Sequence, residues 1–131
     1  MVIVDTTVWV DYLQGKATPQ VEWLEVEMAH QQLGLVDTTL YEVLQGVQYD
    51  RHVEEVRAAL LQFAVFTTGG IDLATAAARN IQLLRAAGHP MQRIVVGLIA
   101  TFCLLHNHTL LHSTTDFDPF EQVLGLGVIK V

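Results

Sequence analysis

Cysteine is nearly absent from this chain: Cys103 is its only one in 131 residues. A lone thiol excludes an internal disulfide and a zinc site built on paired thiolates. A reducing, cytoplasmic setting fits that usage. Positive charge is also scarce, with 7 Lys plus Arg against 14 Asp plus Glu and a formal net charge of −7 at pH 7. This balance argues against a broad basic face for nucleic acid, so a polyanionic substrate would have to be met by metal ions or by local Arg and Lys. It suits a basic protein partner instead. There are 3 prolines and no Pro- or Ser-rich run to divide the chain, so a single domain over residues 1–131 is expected. The opening MVIVDTTVW has no basic stretch ahead of an apolar one and does not read as a signal peptide. The most apolar region, Ile94 to Leu105, is too short for a membrane span and is interrupted by Gly97, Thr101 and Cys103. It reads as a buried core helix.

Apolar residues make up 51% of the chain, enough to fill a substantial core. Val2-Ile3-Val4 is a short apolar run closed by Asp5, of the kind that forms a strand buried on both faces. Thr6 or Thr7 can cap the helix that follows, and Gly15 ends it. The periodicity then predicts a helix from about Pro19 to Ala29, a strand over Leu33–Val36 and a helix capped by Asp37-Thr38-Thr39. A helix over Asp50–Gln62 and a strand over Phe63–Phe66 come next, followed by a long Ala-rich helix from Ile71 to Ala87. The apolar helix spans Arg93–His106, a strand Thr109–His112, and a short helix or turn begins at Asp116. Gly127–Val131 reads as a final strand. Strands alternating with helices predict an α/β fold, a parallel sheet sandwiched between two helical layers.

In open parallel sheets, ligands gather outside the carboxyl ends of the strands. That rule selects Asp5 at the end of the first strand, Glu42 one turn into the helix after the second, and Asp116 with Asp118 after the fourth. Asp37 also follows the second strand, but a helix cap accounts for it. Clustered carboxylates repel one another unless a cation intervenes, and all-oxygen ligands suit Mg²⁺ or Mn²⁺. Each acid also has a plain structural role open to it: Asp5 and Asp116 as caps, Glu42 as a solvated helix residue. His106, His108 and His112 match no zinc spacing; His112 alone lies at the carboxyl edge beside Asp116. Arg93, at the head of the apolar helix, reads either as a solvated helix end or as a phosphate contact. There is no P-loop and no Gly-x-Gly-x-x-Gly.

Four segments in order carry a family resemblance. VIVDTTVWVDYL resembles the opening motif of PIN domains, and TTLYEVLQG their second motif, with a Glu ahead of a Leu and a Gly. LLRAAGHP followed by GLIAT resembles the helical segment before the last strand, and LLHSTTDFDPF the terminal strand-and-acid motif. The nearest subgroup is the VapC-like toxins of VapBC-type toxin–antitoxin pairs. The resemblance implies a PIN-type sandwich and a Mg²⁺- or Mn²⁺-dependent endoribonuclease, in which metal-activated water attacks an RNA phosphodiester. Asp5, Glu42 and Asp116 would be its metal-binding and catalytic residues, with Thr7, Thr114 and Asp118 accessory to them. It also implies a homodimer, a cognate VapB-like antitoxin and no membrane association.

This sequence departs from the family pattern at two positions. The Asp usual two residues before the Leu-Ile-Ala of the apolar helix is Val96, and an Asp common two residues before Asp116 is Thr114. No acid lies between Asp72 and Asp116 to replace the first. Three carboxylates offer a metal less charge and fewer oxygens than four or five. A second expectation therefore stands beside the nuclease: a PIN fold that binds an antitoxin or other partner and has lost RNA cleavage.

Overall fold

A computed structural model describes residues 1–48, 50–90 and 93–131. The chain runs β1 (Val2–Val4), α1 (Thr6–Leu13), α2 (Pro19–Glu27), β2 (Leu33–Val36), α3 (Asp37–Gln45) and α4 (Asp50–Leu60). It continues β3 (Ala64–Phe66), α5 (Ile71–Ala86), α6 (Ile94–His106), β4 (Thr109–Leu111), a 3₁₀ turn (Thr115–Phe117) and α7 (Asp118–Leu124). Among the described residues the strands form one parallel sheet in the order β3-β2-β1-β4. This is the α/β architecture that the alternation predicts.

Strand β1 is central. Val2 lies opposite Leu33 and Thr109, and Ile3 opposite Gly34 and Leu110. Successive side chains on a strand face opposite ways, so a run buried throughout feeds two cores. Ile3, Val36 and Leu110 enter one core with Leu84 of α5, Ile99 and Ala100 of α6, and Phe117 and Phe120. Val2, Val4, Leu33, Leu35 and Leu111 enter the other with Val8 and Trp9 of α1 and Val21 and Leu24 of α2. Trp9 is fully buried, and its indole Nε1–H donates to the Val4 carbonyl at 3.0 Å, so the largest core side chain leaves no donor unpaired. Helix α6 packs on α5, where Gly97 faces Ile81 and Asn80 donates to the Thr101 hydroxyl at 3.0 Å. Among the described residues no helix is long and apolar enough to cross a membrane.

Several boundaries differ from the sequence reading. The cap of α1 is Asp5 itself, whose carboxylate accepts from the Thr7 amide. Asp37 does not cap α3: it is the first residue of that helix, and its Oδ1 accepts from the amides of Thr38 and Thr68 and from the Thr68 hydroxyl at 2.6 Å. It therefore ties the end of β2 to the loop after β3. Gly127–Val131 is not a strand. It meets β4 at one rung, Leu110 with Val128, held by bonds from Leu110 N–H to the Gly127 carbonyl and from Ile129 N–H to the Leu110 carbonyl. Strand β4 ends at Leu111, so no further rung forms, and Lys130 pairs instead with Glu121 of α7.

Of the described glycines, Gly34 leaves the least room for a side chain. A Cβ there would lie 2.9 Å from Cε2 of Phe66, 3.0 Å from Sδ of Met1 and 3.1 Å from the Ala64 carbonyl oxygen. Gly34→Ala is expected to destabilise the fold by about 1–3 kcal/mol through overpacking, read as a lowered urea midpoint at unchanged m-value. A midpoint equal to that of the parent chain would show that the β2–β3 contact yields freely.

Candidate functional site

The parallel register brings the carboxyl ends of β1 and β4 level, and the Asp5 amide donates to the Leu111 carbonyl at 2.9 Å. The Asp5 side chain is buried at 4% exposure. Its Oδ2 accepts from the Thr7 amide at 3.1 Å and from the Thr7 hydroxyl at 2.6 Å. That hydroxyl in turn accepts from the Ser113 amide at 3.2 Å, so a relay of three groups pins the first acid to the segment leaving β4. Burial pushes the Asp5 carboxyl above its ordinary range; the Thr7 hydrogen bonds pull it back in part, and the nearby Glu42 charge raises it further.

Glu42 reaches the same place from α3. Its Oε1 accepts from the Thr6 hydroxyl at 2.7 Å, and that hydroxyl lies 3.3 Å from Thr39 Oγ1. Asp116 arrives from the 3₁₀ turn, with its amide donating to Thr114 Oγ1 at 3.2 Å. Between these two acids sits the guanidinium of Arg93. One terminal nitrogen lies 3.1 Å from Asp116 Oδ2, and the other 3.4 Å from Glu42 Oε2. Asp5, Thr7, Glu42, Arg93, Val96 and Thr114 line a cavity of about 360 Å³ with several neighbours.

Sequence position thus gathers most of the selected residues at one edge. Asp5, Glu42, Thr7 and Thr114 line the cavity. Asp116 does not line it and is joined to it through Arg93. Asp118 begins α7, and its charge acts on His112. Arg93 stands, as the sequence places it, at the exposed head of α6, and there it is ion-paired with Asp116 and Glu42. Its isolation was visible in the sequence, where no other Lys or Arg lies between Arg85 and Lys130, but its two partners were not. Thr6, read from the sequence only as a possible cap, instead orients Glu42, because a hydroxyl that orients a carboxylate has no pattern of its own.

The divalent ion that the PIN resemblance implies meets a poor donor set. Among the described residues no three His, Cys, Asp or Glu side chains group as a metal site. Glu42 and Asp116 each spend an oxygen on Arg93, one Asp5 oxygen is taken by Thr7, and Val96 presents hydrocarbon to the cavity. As arranged, these residues do not fit a carboxylate-held ion, and the positive charge in the pocket comes from the chain itself.

Two other titratable groups are near the edge. His112 is half-buried, with Nδ1 accepting from the Thr114 amide at 3.3 Å and its ring 5.0 Å from that of Phe117. Its Nε2 has no hydrogen-bond partner among the described residues, and burial lowers the imidazole below its usual range against the pull of Asp5 and Asp118. Cys103 is buried in α6, where burial pushes the thiol up to about 12, with the Asp5 charge adding to the rise. It is an inert core residue.

No family model matches the sequence. No curated protein matches it either. The fold does match solved structures. It superposes on a chain of VapBC2 from Rickettsia felis bound to a DNA fragment from their promoter, with a TM-score of 0.77 and 14% identity over 98% of both chains. The chain has a VapC-like PIN fold. It also superposes on DNA-bound VapBC from Salmonella typhimurium, with a TM-score of 0.75 and 16% identity over 98% of this chain and 96% of that one. A toxin–antitoxin complex from Klebsiella pneumoniae gives 0.74 and 18% over 99% and 97%. At such identities the shared property is the PIN fold.

Two stability measurements probe this edge. A carboxyl raised in the folded state holds its proton more tightly there than in the unfolded chain, so its contribution is lost as pH rises from the unfolded value through the folded one. Asp5→Asn is therefore expected to raise the melting temperature near pH 7, a gain that shrinks as pH falls toward the unfolded carboxyl range. An equal or lower melting temperature at pH 7 would count against a net cost of burying this acid. His112 has the opposite dependence: an imidazole lowered on folding favours the fold above the unfolded value of about 6.5, and that support is lost as pH falls through the folded value. His112→Gln should flatten the decline in stability between neutral and mildly acidic pH. A decline as steep as the parent's would assign the acid sensitivity elsewhere.

Proposed function

We propose that this chain is the VapC-like member of a toxin–antitoxin pair, built to engage a VapB-like antitoxin, with a pocket that does not cleave RNA as it stands. The observation that carries this reading is Arg93, which bridges Glu42 and Asp116 beside Val96 and supplies the pocket's cation from within. The partner half of the reading is supported by likeness to VapBC complexes over nearly the whole chain. A net charge of −7 favours a basic partner. Next to the acidic pocket lies a larger cleft of about 650 Å³, walled by Val10, Leu13, Val47 and Val56, with Glu42 and Glu55 at hand. A cleft that joins valine and leucine walls to acidic and amide side chains suits an amphipathic basic segment, the chemistry expected of the antitoxin. The homodimer implied by the resemblance belongs to the same proposal.

A second reading, a Mg²⁺- or Mn²⁺-dependent endoribonuclease, is favoured by the placement of Asp5, Glu42 and Asp116 around one strand edge. One pair of assays separates the two. Co-expressed with a VapB-like antitoxin, the chain is expected to elute as a stable complex. Stripped of that partner, it is expected to leave single-stranded RNA intact in millimolar Mg²⁺ or Mn²⁺. Cleavage that requires the metal and disappears in Asp5→Asn would instead establish the nuclease.

A further inference from the structure

Arg93 takes its place through backbone geometry. It is the residue before α6, with φ −108° and ψ 114°, an extended conformation that turns the chain into the helix. From there its planar guanidinium spans two elements far apart in sequence, with one terminal nitrogen on α3 and the other on the 3₁₀ turn. A fork used this way acts as a clamp as well as a charge. The first turn of α6 contains no acid that could draw the arginine away, and Val96, one turn on, offers no oxygen. The side chains of Glu42 and Asp116 are 20% and 38% exposed, so solvent ions can reach them, and that of Arg93 is 54% exposed.

We infer that Arg93 is a built-in competitor for divalent cations: it holds the Glu42 and Asp116 oxygens a metal would need and repels the ion by its own charge. The inference rests on the internal-cation part of the reading above and is independent of the antitoxin. Its consequence is specific. Removing the guanidinium leaves two facing carboxylates uncompensated next to a buried third, the condition under which carboxylates recruit a cation. Affinity for a divalent ion should therefore rise in a variant from which a polar group has only been taken away.

The test is Mn²⁺ titration of the purified, antitoxin-free chain by calorimetry, set beside Arg93→Ala and Arg93→Gln. The parent is expected to show no saturable site in the low millimolar range. Both variants are expected to bind at least about tenfold more tightly, as removal of a like charge a few ångströms from the ion requires. Glu42→Gln placed on top of Arg93→Ala should abolish the gain. Two neutral replacements, each checked for a cooperative melt, guard against one failing to fold. Equal affinity in the parent and both folded variants overturns the inference, as does tight binding by the parent. A gain that survives Glu42→Gln also overturns it, because the ion then sits elsewhere. None of these results depends on complex formation, so failure of the antitoxin assay and failure of this one remain separable.

Discussion

The central position of β1 constrains everything else in the molecule. Its backbone is paired on both sides, with β2 and with β4, and its three side chains fill two cores at once. A strand so placed has no solvent face, so Val-Ile-Val is close to the only kind of sequence that can occupy it. Where that strand stops, its neighbour β4 stops too, and the Asp5 amide bonds to the Leu111 carbonyl across the gap. The first polar residue of the chain is thereby delivered to the carboxyl edge of the sheet, under the start of α1 and beside the loop leaving β4. Helix α3, which follows β2, is swung to the same edge and brings Glu42 with it.

Placing a carboxylate at that spot has an electrostatic cost, and the local structure is organised around reducing it. Asp5 is desolvated, faces the charge of Glu42, and receives in return two hydrogen bonds from Thr7. Thr7 is oriented by Ser113, and Glu42 is oriented by Thr6. Consecutive threonines thus serve different acids, because the first turn of α1 aims Thr6 and Thr7 in different directions. Hydroxyls reorient a carboxylate but cannot neutralise it. Net charge has to be met by a cation, and in this chain Arg93 lies within bonding distance of two of the three acids.

Much of this was legible in the sequence, and what was not has physical reasons. Strands β1 and β2 were readable because complete burial leaves an uninterrupted apolar run, and α6 because an all-round apolar helix has no other place to go. The gathering of Asp5 and Glu42 followed from one topological rule about parallel sheets. Asp37 was misread because a cap and a long-range staple begin with the same residue after a strand; only the fold brings Thr68 to within 2.6 Å. Gly127–Val131 carries a genuine strand composition, yet pairing needs a partner of equal length, and β4 supplies one rung. Arg93 was hardest to read. Its partners lie 51 and 23 residues away, and no local pattern encodes an ion pair across that separation.

Val96 and Arg93 are best understood together. An acid at position 96 would face the cavity from α6, adding a negative charge to one already holding Asp5 and Glu42. With that charge present, one guanidinium would leave the pocket anionic and a divalent ion would be needed. With valine there, the demand falls by one charge, and one arginine comes closer to meeting it. Exposed ion pairs are individually worth roughly 0–1 kcal/mol, so the clamp adds little to global stability. Its effect is local: it fixes Asp116 against Glu42 and sets which cation the pocket holds. A neutral residue on the helix and a cation just before it thus set the pocket's charge balance together, at a strand edge that gathers Asp5 and Glu42.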